Sequence, residues 1–90
     1  MSENLYTFTP KMIVVYGKSW CPDCKRSRLV LADYKTIYLD VDIEKDAAGR
    51  EFVKKVNNGN ESVPTIIFPD GSYLVEPNSS ALASKLSVMA

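Results

Sequence analysis

The chain predicts an α/β domain of order β-α-β-α-β-β-α, a four-stranded mixed sheet with helices on both faces. Three observations carry this. The continuous apolar run Met12 to Tyr16 precedes a stretch with helical spacing, and the alternating run Thr36 to Val41 precedes a second one. Pro69, Asp70, Gly71 and Ser72 then form a hairpin turn signal between two short apolar runs. A right-handed crossover makes the first two strands parallel, and the hairpin adds an antiparallel edge.

Residues 1–10 hold a short apolar patch, Leu5, Tyr6 and Phe8, closed by Pro10. They carry no motif and read as a loosely packed tail or an extra edge strand, ahead of a domain spanning 11–90. Met12 to Tyr16 is rich in β-branched residues, as a strand buried on both faces should be. After Gly17, positions 24, 27, 30, 31 and 34 are apolar or small, which is helical spacing. Pro22 suits a first turn, where no backbone N–H is missed.

In the second strand, Ile37, Leu39 and Val41 share one face. Asp46 is a plausible N-cap for a helix with Ala48, Phe52 and Val56 every four residues, stopped by Asn57, Asn58 and Gly59. Thr65 to Phe68 and Tyr73 to Val75 flank the turn. Leu82, Leu86 and Met89 mark a last helix starting near Asn78 or Ser79.

Ninety residues make one domain, with no room for a second module. Eleven basic and 11 acidic residues balance, so the basic footprint of a nucleic-acid binder is missing. The opening Met1, Ser2, Glu3, Asn4 is unlike a signal peptide, and no apolar run approaches the ~20 residues that cross a bilayer. The expected setting is the cytoplasm, with no membrane partner. There thiols stay reduced, and a cysteine pair is more often catalytic or metal-binding than a staple.

The only cysteines are Cys21 and Cys24, in the run Ser19, Trp20, Cys21, Pro22, Asp23, Cys24. Three residues apart on a helix, their Cα atoms stand about 5 Å from one another, within disulfide range. So small a loop adds at most about 2 kcal/mol, so stabilisation is a poor reason for it and reversible thiol–disulfide exchange a better one. Cys21 falls at the helix start, where unpaired N–H groups and the helix dipole favour a thiolate; Cys24 falls one turn in, toward the core. Cys21 is therefore expected to be the nucleophile and Cys24 the resolving thiol.

Trp20 is expected to pack beside the pair and limit solvent access. Asp23 suits the helix N-terminus by ~0.3–1 kcal/mol, but its charge opposes a thiolate next to it, with Lys18, Lys25 and Arg26 as the offset. Zinc wants four ligands, and the chain has no histidine and no third cysteine, so no metal site is expected.

Strand, Trp-Cys-Pro-x-Cys on a helix, and a later Val63, Pro64, Thr65 opening a hairpin resemble the thioredoxin superfamily and its glutaredoxin branch. Asp42, Ile43, Glu44 and Asp46, the run Val56 to Asn60, Ser62 to Thr65, Asp70 to Ser72 and Pro77 are most similar to the mycoredoxins. The likeness covers about residues 12 to 86 and implies the thioredoxin fold. It also implies a cis bond before Pro64, a Val63 backbone that pairs with an extended substrate, and Lys18 near a substrate carboxylate. With Trp20, Pro22 and Asp23 these would form the thiol-binding surface around a redox-active Cys21–Cys24 disulfide.

The resemblance implies a dithiol–disulfide oxidoreductase without bound cofactor, working on oxidised or thiolated proteins; with 46% hydrophobic residues and three short helices, a monomer is the expected state. A small thiol of the glutathione or mycothiol type would be its co-substrate. Glu76, Pro77, Asn78, Ser79 and Ser80 stand where many glutaredoxins have Gly-Gly and acidic residues, and Asp23 stands where they often have Tyr. Two alternatives remain open at this point. One is a thioredoxin-like electron donor recharged by thioredoxin reductase, and the other is a redox sensor or cluster-binding adaptor that does not turn over.

Overall fold

A computed structural model describes residues 4–89. The elements are β1 (Ile13–Gly17), α1 (Pro22–Asp33), β2 (Tyr38–Asp42), α2 (Ala47–Val56), β3 (Thr65–Ile67), β4 (Tyr73–Val75) and α3 (Ser79–Met89). They form one mixed sheet of order β2-β1-β3-β4. The pair β1–β2 is parallel; β1–β3 and β3–β4 are antiparallel. This is the thioredoxin-like arrangement that the motifs led one to expect.

The sheet divides the core in two because side chains alternate along a strand. Ile13 and Val15 of β1 join Leu31, Ile66, Phe68, Leu82 and Leu86 under α1 and α3. Val14 and Tyr16 join Val41, Ile43, Phe52, Val53 and Ile67 under α2. Both faces of β1 are thus covered, which is why its sequence is apolar without alternation. Each fully buried aliphatic side chain in these layers contributes roughly 1.5–3 kcal/mol.

Caps and turns follow their side chains. Asp46 accepts from the Gly49 amide at 3.2 Å to start α2, and Asn78 accepts from the Ala81 amide at 2.7 Å to start α3. In the hairpin, Asp70 takes the Ser72 amide at 2.9 Å, and its other oxygen meets Lys85 Nζ of α3 at 2.7 Å.

Three expectations are corrected. The second strand begins at Tyr38, and Ile37 lies outside it, 77% exposed. Only from Tyr38 onward does the chain pair with β1, Tyr38 opposite Ile13. The inward face of α2 is Gly49, Phe52 and Val53 with half-buried Val56, while Ala48 is exposed. A 3.6-residue period selects i, i+3, i+4 and i+7 rather than a strict four. Gly49 on that face lets α2 lie close on β2, since a Cβ there would come within 2.8 Å of Val41 Cγ1.

The third correction is the N-terminal segment, whose residues 1–3 fall outside the described ones, as does residue 90 of the 11–90 domain. Its described part is neither an edge strand nor loosely packed. Leu5 and Phe8 pack on the α2-side core, Phe8 meets Phe52 edge-on at 5.2 Å, and Pro10 is buried. Tyr6 donates its hydroxyl to Asp46 at 2.5 Å, and the Tyr16 hydroxyl accepts the Tyr6 amide at 3.0 Å.

Candidate functional site

β1 ends at Gly17, and a short turn later the chain reaches Cys21, the N-cap of α1, in extended backbone conformation (φ −78°, ψ 119°). Pro22 follows in the first turn, where its missing N–H costs nothing. The Cys21 sulfur takes the place a Ser or Asp side chain usually holds at an N-cap: the Cys24 amide donates to Cys21 Sγ at 3.3 Å. Both cysteines are free thiols. Cys21 is 7% exposed and Cys24 fully buried. Burial first, then the hydrogen bond with Cys21, pushes the Cys24 thiol up to about 12.

Charge around the pair is arranged in two groups. Asp23 is paired along α1 with Arg26, whose Nη2 and Nη1 lie 2.8 and 3.0 Å from Asp23 Oδ1. Arg26 is therefore the residue that offsets the Asp23 carboxylate. Lys18 instead sits over the Trp20 ring, its Nζ 5.2 Å from the centroid. Trp20 corrects an expectation: rather than packing over the thiols, its side chain leaves the residue 61% exposed, with Nε1 donating to Glu44 at 2.9 Å. An indole held at its polar edge offers its apolar face outward.

The second wall comes from the start of β3. Tyr16 pairs with Thr65, and one further step of that register brings Pro64 alongside Gly17, at the end of the sheet that delivers the cysteines. The Val63–Pro64 peptide is cis, as the family resemblance implied. Val63 is half-buried against the α2-side core. Asn57, at the end of α2, fastens this turn: its Nδ2 donates to Thr65 Oγ1 at 3.1 Å and to Val53 O at 3.0 Å, while Thr65 Oγ1 donates to Ser62 O at 2.8 Å. From the far side the Glu76 amide donates to Pro64 O at 2.8 Å.

Cys21, Cys24, Pro22, Asp23, Lys18, Trp20, Val63 and Pro64 thus belong to two adjoining loops at one end of the sheet. Sequence reasoning missed Gly17, Arg28, Asp40, Glu44 and Asn57. Nothing local singles out Arg28, and Asn57 reads only as a helix stop; their partners Asp40 and Thr65 are 12 and 8 residues away. No local spacing rule joins such pairs. Among the described residues, no three Cys, His, Asp or Glu side chains gather as a metal site would need. No helix among them is long and apolar enough to cross a membrane.

Residues 13–74 match the glutaredoxin family model. A Mycobacterium tuberculosis protein named "Putative glutaredoxin" is 42% identical over 74 residues, covering 82% of this chain and 88% of its own. Mycoredoxin 1 of Corynebacterium glutamicum is 35% identical over 78 residues, covering 87% and 96%. Among solved structures, the glutaredoxin of Archaeoglobus fulgidus superposes with a TM-score of 0.70 at 29% identity, over 91% of this chain and 92% of its own. The thioredoxin-like protein BC3987 gives 0.69 at 27% identity, over 82% and 97%. A cysteine-capped helix beside a cis-proline turn, matched in sequence over most of the chain, makes this protein a member of the glutaredoxin family.

Proposed function

We propose that this chain is a dithiol oxidoreductase that reduces protein disulfides and mixed disulfides between proteins and a small thiol. The observation that carries the reading is the asymmetry of the two thiols. Cys21 caps the helix with 7% of its surface open, while Cys24 lies fully buried one turn in with its amide on the Cys21 sulfur.

The Cys21 thiolate attacks one sulfur of the target; the target's S–S bond breaks, the leaving thiolate takes a proton from water, and Cys21 holds a mixed disulfide. Cys24 then loses its proton and attacks Cys21 Sγ, which expels the target's remaining thiolate and closes the Cys21–Cys24 disulfide; where Cys21 carries a small thiol, a second small thiol instead attacks that bound thiol's sulfur and expels the Cys21 thiolate. On the small-thiol route, helix-start amides around Cys21 receive the negative charge that returns to it as leaving group. The exposed Trp20 face and the Val63–Pro64 turn offer an extended substrate an apolar contact and a strand-like edge.

The likeness to mycoredoxin 1 supports a small thiol of the mycothiol or glutathione type as reductant, and a reducing, cytoplasmic setting. The protein acts as a monomer in this reading. The test is to oxidise the protein and regenerate it with either mycothiol or glutathione and its own reductase, or with thioredoxin reductase and NADPH, following the single Trp20. Recovery with a small thiol supports the reading, and recovery with the flavoprotein alone makes the chain a thioredoxin-like electron donor. Cys24→Ser separates the routes: release of small thiols from proteins persists, and reduction of protein disulfides is lost. A protein without turnover in either form would be an adaptor or sensor.

A further inference from the structure

Resolution by the dithiol route requires the buried Cys24 to give up its proton, and burial opposes this. Two groups act the other way: the Lys18 backbone N–H, directed at the Cys24 sulfur, and the Arg28 guanidinium. Arg28 is one turn further along α1, its side chain 21% exposed. Its position is constrained on both sides. Nε and Nη2 each meet the Asp40 carboxylate, at 3.2 Å to Oδ2 and 3.2 Å to Oδ1. The same Nη2 lies 3.2 Å from the point where a Gly17 Cβ would stand, and Cys24 Sγ lies 2.9 Å from that point. With Ser19, Lys25, Asp40 and Asp42, Arg28 also lines an open cleft of about 250 Å³. Arg28 therefore reaches from solvent to the neighbourhood of the buried sulfur.

Resting on the dithiol reading above, we propose that Arg28, held by Asp40, is a positioning residue for the second half-reaction, stabilising the Cys24 thiolate as it forms. In the Cys21 mixed disulfide, the Cys24 S–H gives its proton to solvent, and the thiolate attacks Cys21 Sγ. The bond between Cys21 and the small thiol breaks; the departing thiolate keeps the electron pair and takes a proton from water as the Cys21–Cys24 bond forms. The Arg28 charge thereby sets how the mixed disulfide divides between Cys24 and an outside thiol. The charged and titratable groups around the sulfur are Cys21, Lys25 and Arg28 on α1 and its cap, Lys18 before it, and Asp40 and Asp42 on β2.

The test uses the reduced full chain and excess bis(2-hydroxyethyl) disulfide, an uncharged probe. The Cys21 adduct and its decay to the internal disulfide are followed by acid quench and mass spectrometry from neutral to alkaline pH. In Arg28→Gln the decay slows about tenfold at neutral pH and its pH profile moves upward, because one pKa unit is a tenfold change in thiolate. Arg28→Lys restores most of the rate, and adduct formation in Cys24→Ser is the same with and without Arg28→Gln. Should Arg28→Gln not fold, Arg28→Met carries the comparison, since its unbranched stem fills the same space. Decay at the wild-type rate, or slowing with an unmoved pH profile, overturns the proposal. If the wild type forms neither the adduct nor the internal disulfide, the dithiol reading itself falls and takes the proposal with it.

Discussion

Gly17 and Cys24 approach so closely that a Cβ on Gly17 would stand 2.9 Å from the Cys24 sulfur. The last residue of β1 and the first buried turn of α1 are thereby locked together, and the Cys24 sulfur has no room to retreat toward the sheet. Gly17→Ala forces Cys24 and Arg28 aside; overpacking of this kind costs about 1–3 kcal/mol. Denaturant titration reads the loss, and closure of the Cys21–Cys24 disulfide slows in the same variant. Unchanged stability and closure would show that the contact relaxes freely.

The cis-proline turn depends on Asn57. Asn57→Ala removes its donors to Thr65 Oγ1 and Val53 O and leaves both acceptors without that partner, a loss of about 1–2 kcal/mol. The KM for a protein disulfide rises as the turn loses its anchor, while alkylation of Cys21 by a small reagent keeps its wild-type rate. Comparing the two rates in one variant separates a docking effect from a thiol effect.

Glu76 adopts a left-handed backbone (φ 48°) where its amide must meet Pro64 O. A side chain costs roughly 1–2 kcal/mol in that region, and glycine does not meet the same penalty. Glu76→Gly keeps the amide and is expected to stabilise the fold by about 0.5–1 kcal/mol, read as a higher denaturant midpoint. A fall in the midpoint would mean that the carboxylate itself makes a stabilising contact.

Tyr6 ties the N-terminal segment to the cap of α2, with opposite consequences for its two partners. The hydrogen bond holds the Asp46 carboxyl below its usual range and raises the Tyr6 phenol to about 12. The Asp46 contribution is present above the unfolded carboxyl value near ~3.9 and is lost as pH falls through the folded value. The Tyr6 contribution is present below the unfolded phenol value near ~10 and is lost as pH rises toward its folded value. The stability advantage of wild type over Tyr6→Phe is therefore a plateau across neutral pH that declines at both ends. Midpoints of the two proteins measured from acid to strongly alkaline pH give the curve, and a constant difference would show that Tyr6 contributes by packing alone.

Local sequence decided a great deal here. The apolar run of β1, Pro22 after Cys21, Asp46 before α2 and Asp70 in the hairpin each act through neighbours within a few residues, so element order, caps and the C-x-x-C position were all legible. So was the place of each cysteine, one capping α1 and the other a turn in, because it follows from their spacing on one helical turn. What only the tertiary structure decided involves partners distant in the chain. Trp20 turns outward because Glu44, 24 residues on, takes its N–H; Arg28 stands near Cys24 because Asp40 of the parallel strand pins it; and the N-terminal segment is ordered because Tyr6 finds Asp46, 40 residues later. Helix and turn signals are short-range, whereas these contacts exist only once the crossover has laid β2 beside β1.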